Sequence, residues 1–230
     1  DGKIRQIEAL VSSGETVKAR KLIRETWVEA NFGQTQEKKF RDQYRKFLTK
    51  ADDTARLDRL LWDGQISRAK RMIPRVDDAT RKLAMARISL QEFQGGVDWH
   101  IRQVPASLQT DPGLIYERIR WRRRKGLDSD AYDLLKNVPP DVAYASKWWV
   151  ERSIIARRLL AQGHISDAYS LARANGLSTG ASFVEAEWLA GWIALRHLAE
   201  PRTALAHFSR IEEHVSYPIS KGRGAYWVGR

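Results

Sequence analysis

The sequence predicts an all-α protein, an α-solenoid or superhelix of stacked helical hairpins in a degenerate tetratricopeptide-like array with no significant sheet. Three observations carry that expectation. No β-branched run alternates apolar and polar residues with period two over a useful length, so strand signals are nearly absent. A pattern of the form G-x4-A-x2-L recurs, each copy following an amphipathic segment such as DRLLWDG, RIRWRRRKG or ARRLLAQG. The copies begin at positions 14, 64, 96, 126, 163 and 199, so their separations are 50, 32, 30, 37 and 36 residues. A unit of roughly 30 to 40 residues built from two helices marks an α-solenoid.

Taken in order, Gly14 leads to Ala19 and Leu22, and Gly64 to Ala69 and Met72. Gly96 leads to Ile101 and Val104, Gly126 to Ala131 and Leu134, and Gly163 to Ala168 and Leu171. The sixth copy replaces glycine by Ala199 and continues with Ala204, Leu205 and Phe208. In each, glycine is expected to take the left-handed conformation that ends a first helix, and a small residue near the start of the second lets the two backbones approach. Gly163 and Ala168 are therefore structural assignments. The long interval after Gly14 accommodates an extra helix in QTQEKKFRDQYRKFL, where Phe40, Tyr44 and Phe47 share a face. The last segment, PISKGRGAYWVGR, starts a helix at Pro218 and carries Tyr226 and Trp227. A dozen or more helices are expected, in a single α-superhelical domain spanning 1–230.

Composition narrows the function. Forty Lys and Arg against 28 Asp and Glu give a net charge of +12, so the surface should attract something anionic. Cysteine is absent, which removes disulfides, thiol nucleophiles and thiolate metal sites. No apolar run approaches the roughly 20 residues that cross a bilayer. Five histidines, at 100, 164, 197, 207 and 214, show no HExxH or comparable spacing. His207 and His214 lie seven apart on one expected helix and would need a third ligand, so neither metal nor cofactor is predicted. The pairs Asp52–Asp53, Asp77–Asp78 and Glu212–Glu213 sit at helix starts or on polar faces, where acids serve as caps. GxSxG, P-loop and GxGxxG motifs are absent. No catalytic residue is assigned.

Nine tryptophans remain to be placed. Trp188 and Trp192, in AEWLAGWIALRHL, stand one turn apart and share a face with Leu195, while Gly191 and Ala194 admit a neighbouring helix. They read as wedges between hairpins, a structural role. Adjacent Trp148 and Trp149 are about 100° apart on a helix and are not both expected to face the core. One of them should line an edge or groove, which makes the pair candidate binding residues. The run ERIRWRRRKG offers Arg122 and Arg123 beside Trp121 as a polyanion contact. The competing explanation is a solvated face whose cations complement the helix dipole.

Three stretches, residues 147–172, 184–208 and 215–230, together resemble the superhelical, non-catalytic region of the soluble lytic murein transglycosylases. AEWLAGWIALRHL echoes the family signature EAEFLAGWIALRFL, and the final stretch matches PIS-x4-AYW-x-GR. The resemblance implies a periplasmic enzyme in which a stack of helices precedes a lysozyme-like domain. That domain cleaves the MurNAc–GlcNAc bond of peptidoglycan to a 1,6-anhydro product. The catalytic E-S segment and G-x-x-G-L-M-Q motif are not found in these residues, so the chain is expected to stop before that domain. The implied partners are glycan strands, the chain's own catalytic domain and other cell-wall proteins. Read without the resemblance, the chain is a tetratricopeptide-like adaptor with no enzymatic role. An RNA-binding repeat fits less well, because the basic residues are scattered and the repeat length is irregular.

Overall fold

The computed structural model describes residues 2–215 and 217–230. Among them are fourteen α-helices, two short 3₁₀ turns and no strand. The chain divides into two compact units, Asp1–Glu117 and Arg118–Arg230, the division falling inside helix α8 (Pro112–Arg124).

The first unit contains α1 (Gly2–Ser12), α2 (Thr16–Glu29), α3 (Gln34–Tyr44), α4 (Lys50–Trp62), α5 (Ile66–Met72), α6 (Asp78–Gln91) and α7 (Val97–Gln103). Each packs on helices one or two places along the chain: α2 on α1 and α4, α4 on α5 and α6, and α6 on α7. This neighbour-only packing is solenoid-like. The extra helix predicted after Gly14 is α3, and Phe40 and Tyr44 are buried with Phe47 packed against the same core. Phe40 lies 6.2 Å from the Trp27 ring in a stacked arrangement and 4.8 Å from Tyr44.

The unit also buries charge. Arg56 of α4 is 0% exposed, its guanidinium 4.5 Å from the Trp27 ring. It donates to the carbonyls of Trp27 and Ala30, while Arg59 donates to those of Val28 and Ala30. These are the carbonyls that the end of α2 leaves without intrahelical partners, so two arginines of α4 cap the C-terminus of α2. Glu37 balances Arg56 at 3.2 Å and also meets Arg71 at 2.9 Å and Arg75 at 3.0 Å. At the start of α4, Thr49 and Asp52 form a reciprocal capping box. Asp53 beside them is buried and accepts from the Trp27 indole at 3.1 Å and from Arg41 at 2.9 Å.

The second unit contains α9 (Asp128–Leu135), α10 (Ala145–Ala161), α11 (Ile165–Arg173), α12 (Gly180–Arg196), α13 (Pro201–His214) and α14 (Pro218–Gly229). Packing is again local: α10 on α9, α11 and α12, then α11 on α12, α12 on α13, and α13 on α14. The Gly191 side of α12 lies against the Phe208 ring, where an added Cβ would come within 2.6 Å. Gly224 of α14 is similarly seated on Ile211 and the Phe208 carbonyl, both 3.3 Å from an added Cβ. A buried polar chain ties three helices together. His207 contacts Glu187 at 2.7 Å and the Tyr169 hydroxyl at 3.1 Å, and Glu187 also accepts from Asn175 and Arg210.

The hairpin turns follow the sequence pattern. Gly14, Gly64, Gly126 and Gly163 take φ of 75°, 66°, 75° and 86°, and Ala199 follows at 55°. Ala19, Ala69, Ala131, Ala168 and Ala204 are all buried at the following helix starts. The residue after each of the four glycines closes the turn by donating back five residues, as Gln65 does to the Leu60 carbonyl at 2.8 Å and His164 to Leu159 at 2.9 Å. The third copy departs from this scheme. Phe93, not Gly96, ends α6 in the left-handed region (φ 59°), with Gln94 donating to Ser89. Gly96 instead forms the N-cap of α7 (φ 72°), so Val97 occupies the buried start in place of a small residue.

Candidate functional site

Helices α10, α12 and α14 of the second unit border an open cleft of about 540 Å³ lined by Arg157, Glu185, Trp188, Arg223 and Trp227. Glu185 lies one turn before Trp188 on α12, so the carboxylate and the indole project toward the same side. Arg157 reaches across from α10 and donates to Glu185 Oε1 at 2.7 Å, and it also donates to the Ser153 carbonyl at 3.1 Å. The Trp149 indole donates to Glu185 Oε2 at 3.0 Å. Burial pushes the Glu185 carboxyl up, but the bonds from Trp149 and Arg157 and the charges of Arg157 and Arg223 outweigh it and hold it below its usual range. Arg223 of α14 is exposed and makes no hydrogen bond or ion pair among the described residues. Two guanidinium groups against one carboxylate leave the cleft with a surplus positive charge.

The aromatic wall is held rigidly. Trp188 stacks on Trp192 with centroids 6.0 Å apart and planes 17° from parallel, and it meets Trp227 edge-on at 6.2 Å. Trp227 in turn stacks on Phe208 at 5.5 Å and touches Tyr226 edge-on. Both Trp188 and Trp192 are half-buried, and Trp188 packs on the core of α12 and α13. The wedge role expected of this pair therefore describes one side of Trp188, and the other side faces the cleft.

Of the four residues singled out for binding, Trp148, Trp149 and Arg123 are engaged within the protein. Trp148 and Trp149 are both 1% exposed, so neither lines an open groove. Both can be buried because α10 packs on three helices, α9, α11 and α12, so that two directions 100° apart both face protein. Trp148 donates to the Ala143 carbonyl at 3.1 Å, and Trp149 serves the cleft from behind through Glu185. Arg123 forms a two-pronged pair with buried Glu151, which is structural use of the charge. Arg122 is half-buried beside it. His207 is engaged by Glu187 and Tyr169, and His214 Nδ1 lies 3.0 Å from the Arg210 carbonyl.

Sequence reasoning singled out none of Glu185, Arg157 and Arg223. The usable signal was the aromatic pair Tyr226–Trp227, with Arg223 one helical turn before Trp227 on the same helix.

The first unit has a second cleft of about 540 Å³ between α4 and α6, walled by Leu57, Leu61 and Leu83 with Arg87 at its edge. The Arg87 guanidinium is wedged 5.4 Å from the Trp62 ring and against Gly113, and it pairs with Asp58. Its charge is already committed, so the α10–α12–α14 cleft is the better candidate.

No protein-family model matches the chain, and no significant match to a curated protein or a solved structure was found. No helix among the described residues is long and apolar enough to cross a membrane.

Proposed function

We propose that this chain is the helical scaffold of a peptidoglycan lytic transglycosylase acting in the bacterial periplasm, with the acid–base glutamate supplied by a domain outside these 230 residues. One observation supports the reading above others. Two of the stretches that carry the resemblance, 184–208 and 215–230, meet in one packing arrangement. Gly191 receives the Phe208 ring, Gly224 rests on Ile211 and the Phe208 carbonyl, and Trp188 meets Trp227. A motif whose members interlock in this way describes a joint between hairpins, which is what a scaffold needs.

The scaffold contributes by position and charge. Stacked hairpins hold their side chains at fixed separations, and a net charge of +12 attracts the carboxylates of peptidoglycan stem peptides. Repeated contacts along one strand add through effective concentration. The decisive test is to read the parent gene beyond Arg230 and to assay the longer product on purified cell wall. An E-S segment followed by GxxGLMQ, with release of 1,6-anhydro-terminated fragments, is the expected result. A frame that ends without such a segment overturns the proposal. The electrostatic part is tested separately by sedimenting the chain with glycan strands at about 50 mM and about 300 mM salt, where binding should weaken as screening shortens.

A further inference from the structure

The geometry points to the cleft between α10, α12 and α14 as a binding site for a carboxylate-bearing pyranose, with the sugar ring against Trp188 and Trp227 and its carboxylate at Arg223. The inference stands on the cleft's own residues and does not require the scaffold reading. Four features converge on it. The indoles of Trp188 and Trp227 are half-buried, backed by Trp192 and Phe208 and inclined 69° to each other, so they form an apolar corner, one ring face against which a sugar can stack and a second ring beside it, already ordered before a ligand arrives. Pre-ordered rings lose little conformational freedom on binding. The cleft's volume, about 540 Å³, falls in the range of roughly 300 to 1,000 Å³ common for small-ligand sites.

The polar groups divide the work. Glu185 has both oxygens occupied by Trp149 and Arg157, so it orients Arg157 and has little capacity left to bind a cation. Arg223 on the opposite helix acts on Glu185 only through its charge and makes no hydrogen bond or ion pair among the described residues, and a planar fork of that kind pairs best with a carboxylate. A ligand must therefore present an apolar face to the indoles and an anionic group to α14. A pyranose offers C–H bonds on its face, hydroxyls at its rim for the outer nitrogens of Arg157, and a carboxylate as either a uronate or a lactyl ether.

The test uses the 230-residue chain with calorimetry and tryptophan fluorescence. Three tetrasaccharides serve as probes: alternating GlcNAc–MurNAc, hyaluronan, and neutral chitotetraose. At least one acidic sugar should bind roughly tenfold more tightly than chitotetraose, the factor expected of one charge-assisted contact. Arg223→Gln should reduce that sugar to the chitotetraose level while circular dichroism and the unfolding midpoint stay unchanged. Arg157→Gln should weaken all three sugars. Because Trp188→Ala removes core packing and could unfold the unit, the two arginine variants carry the test. Which acidic sugar binds more tightly identifies the source of the carboxylate. The site is overturned if no acidic sugar binds, if chitotetraose binds equally well, if Arg223→Gln changes nothing, or if benzoate matches the sugars. Anhydro-product release by the longer gene product without sugar binding here would sink this site and leave the scaffold reading standing. Sugar binding with no catalytic segment downstream would do the reverse.

Discussion

Two glutamates, one in each unit, show how the same side chain can serve a fold or face a ligand. Glu37 in the first unit is 2% exposed and surrounded by three guanidinium groups, from α4, α5 and the 3₁₀ turn at Ile73–Arg75. Glu185 in the second has a side chain 44% exposed, one guanidinium and one indole as partners, and an open cleft beside it. Both carboxyls are held below their usual range against the upward push of burial. The difference is saturation. Around Glu37 every strong donor is turned inward on the protein, which locks the end of α2 to α4 and α5. Around Glu185 one cation, Arg223, is left over. A buried carboxylate ringed by guanidinium groups specifies structure, and a half-open one with a cation to spare beside it can accept something else.

The comparison is broken most directly at Glu37. Glu37→Ala leaves Arg56 buried without its counterion, and removing one partner of a buried pair costs about 3–5 kcal/mol. Urea unfolding should show the loss, and a change below about 1 kcal/mol would mean that the cluster is not a structural centre. Next in size is Gly191→Ala, whose Cβ would press on the Phe208 ring at 2.6 Å. Overpacking of this kind costs about 1–3 kcal/mol and should lower the midpoint of the second unit while leaving signals from Trp27 unchanged.

Acid provides a graded version of the first experiment. Burial opposes ionisation of Glu37, yet Arg71, Arg75 and Arg56 more than compensate, so its folded pKa lies below the unfolded value of about 4.3. The group therefore stabilises the fold above that pH, and the stabilisation is lost as pH falls through the folded value. Asp52 acts in the same sense, with bonds from Thr49 and Arg24 outweighing its burial. Unfolding measured at pH 7 and at pH 3 should show a smaller acid-induced loss for Glu37→Gln than for the parent chain. A smaller effect of opposite sign is expected at Ala199, held at φ 55°. Ala199→Gly should raise the unfolding free energy of the second unit by about 1 kcal/mol, because glycine reaches this region without a Cβ clash. The smallest effect belongs to Arg223→Gln, which should change stability by less than about 0.5 kcal/mol. A large loss there would assign Arg223 to the fold and remove the contrast with Glu37.

Legibility tracked how local each feature is. The left-handed glycines at 14, 64, 126 and 163 were readable because helix termination depends on a few adjacent residues. The same rule put the third turn at Gly96, and the chain instead ends α6 three residues earlier, at Phe93. The burial of both Trp148 and Trp149 was not readable, because it depends on the three helices packed on α10. Glu185 and Arg223 gave no local signal. They lie on different helices, and only packing brings Glu185 of α12, Arg157 of α10 and the Arg223–Trp227 pair of α14 to one cleft.

By itself the sequence determined the helical class, the position of most hairpin turns and the extra helix around Phe40, since each follows from short-range periodicity and backbone preference. Tertiary structure alone decided which charges are consumed internally and which remain available. That outcome depends on the distances between side chains brought together from separate helices, and electrostatic pairing falls off over a few ångströms that the order of residues does not record.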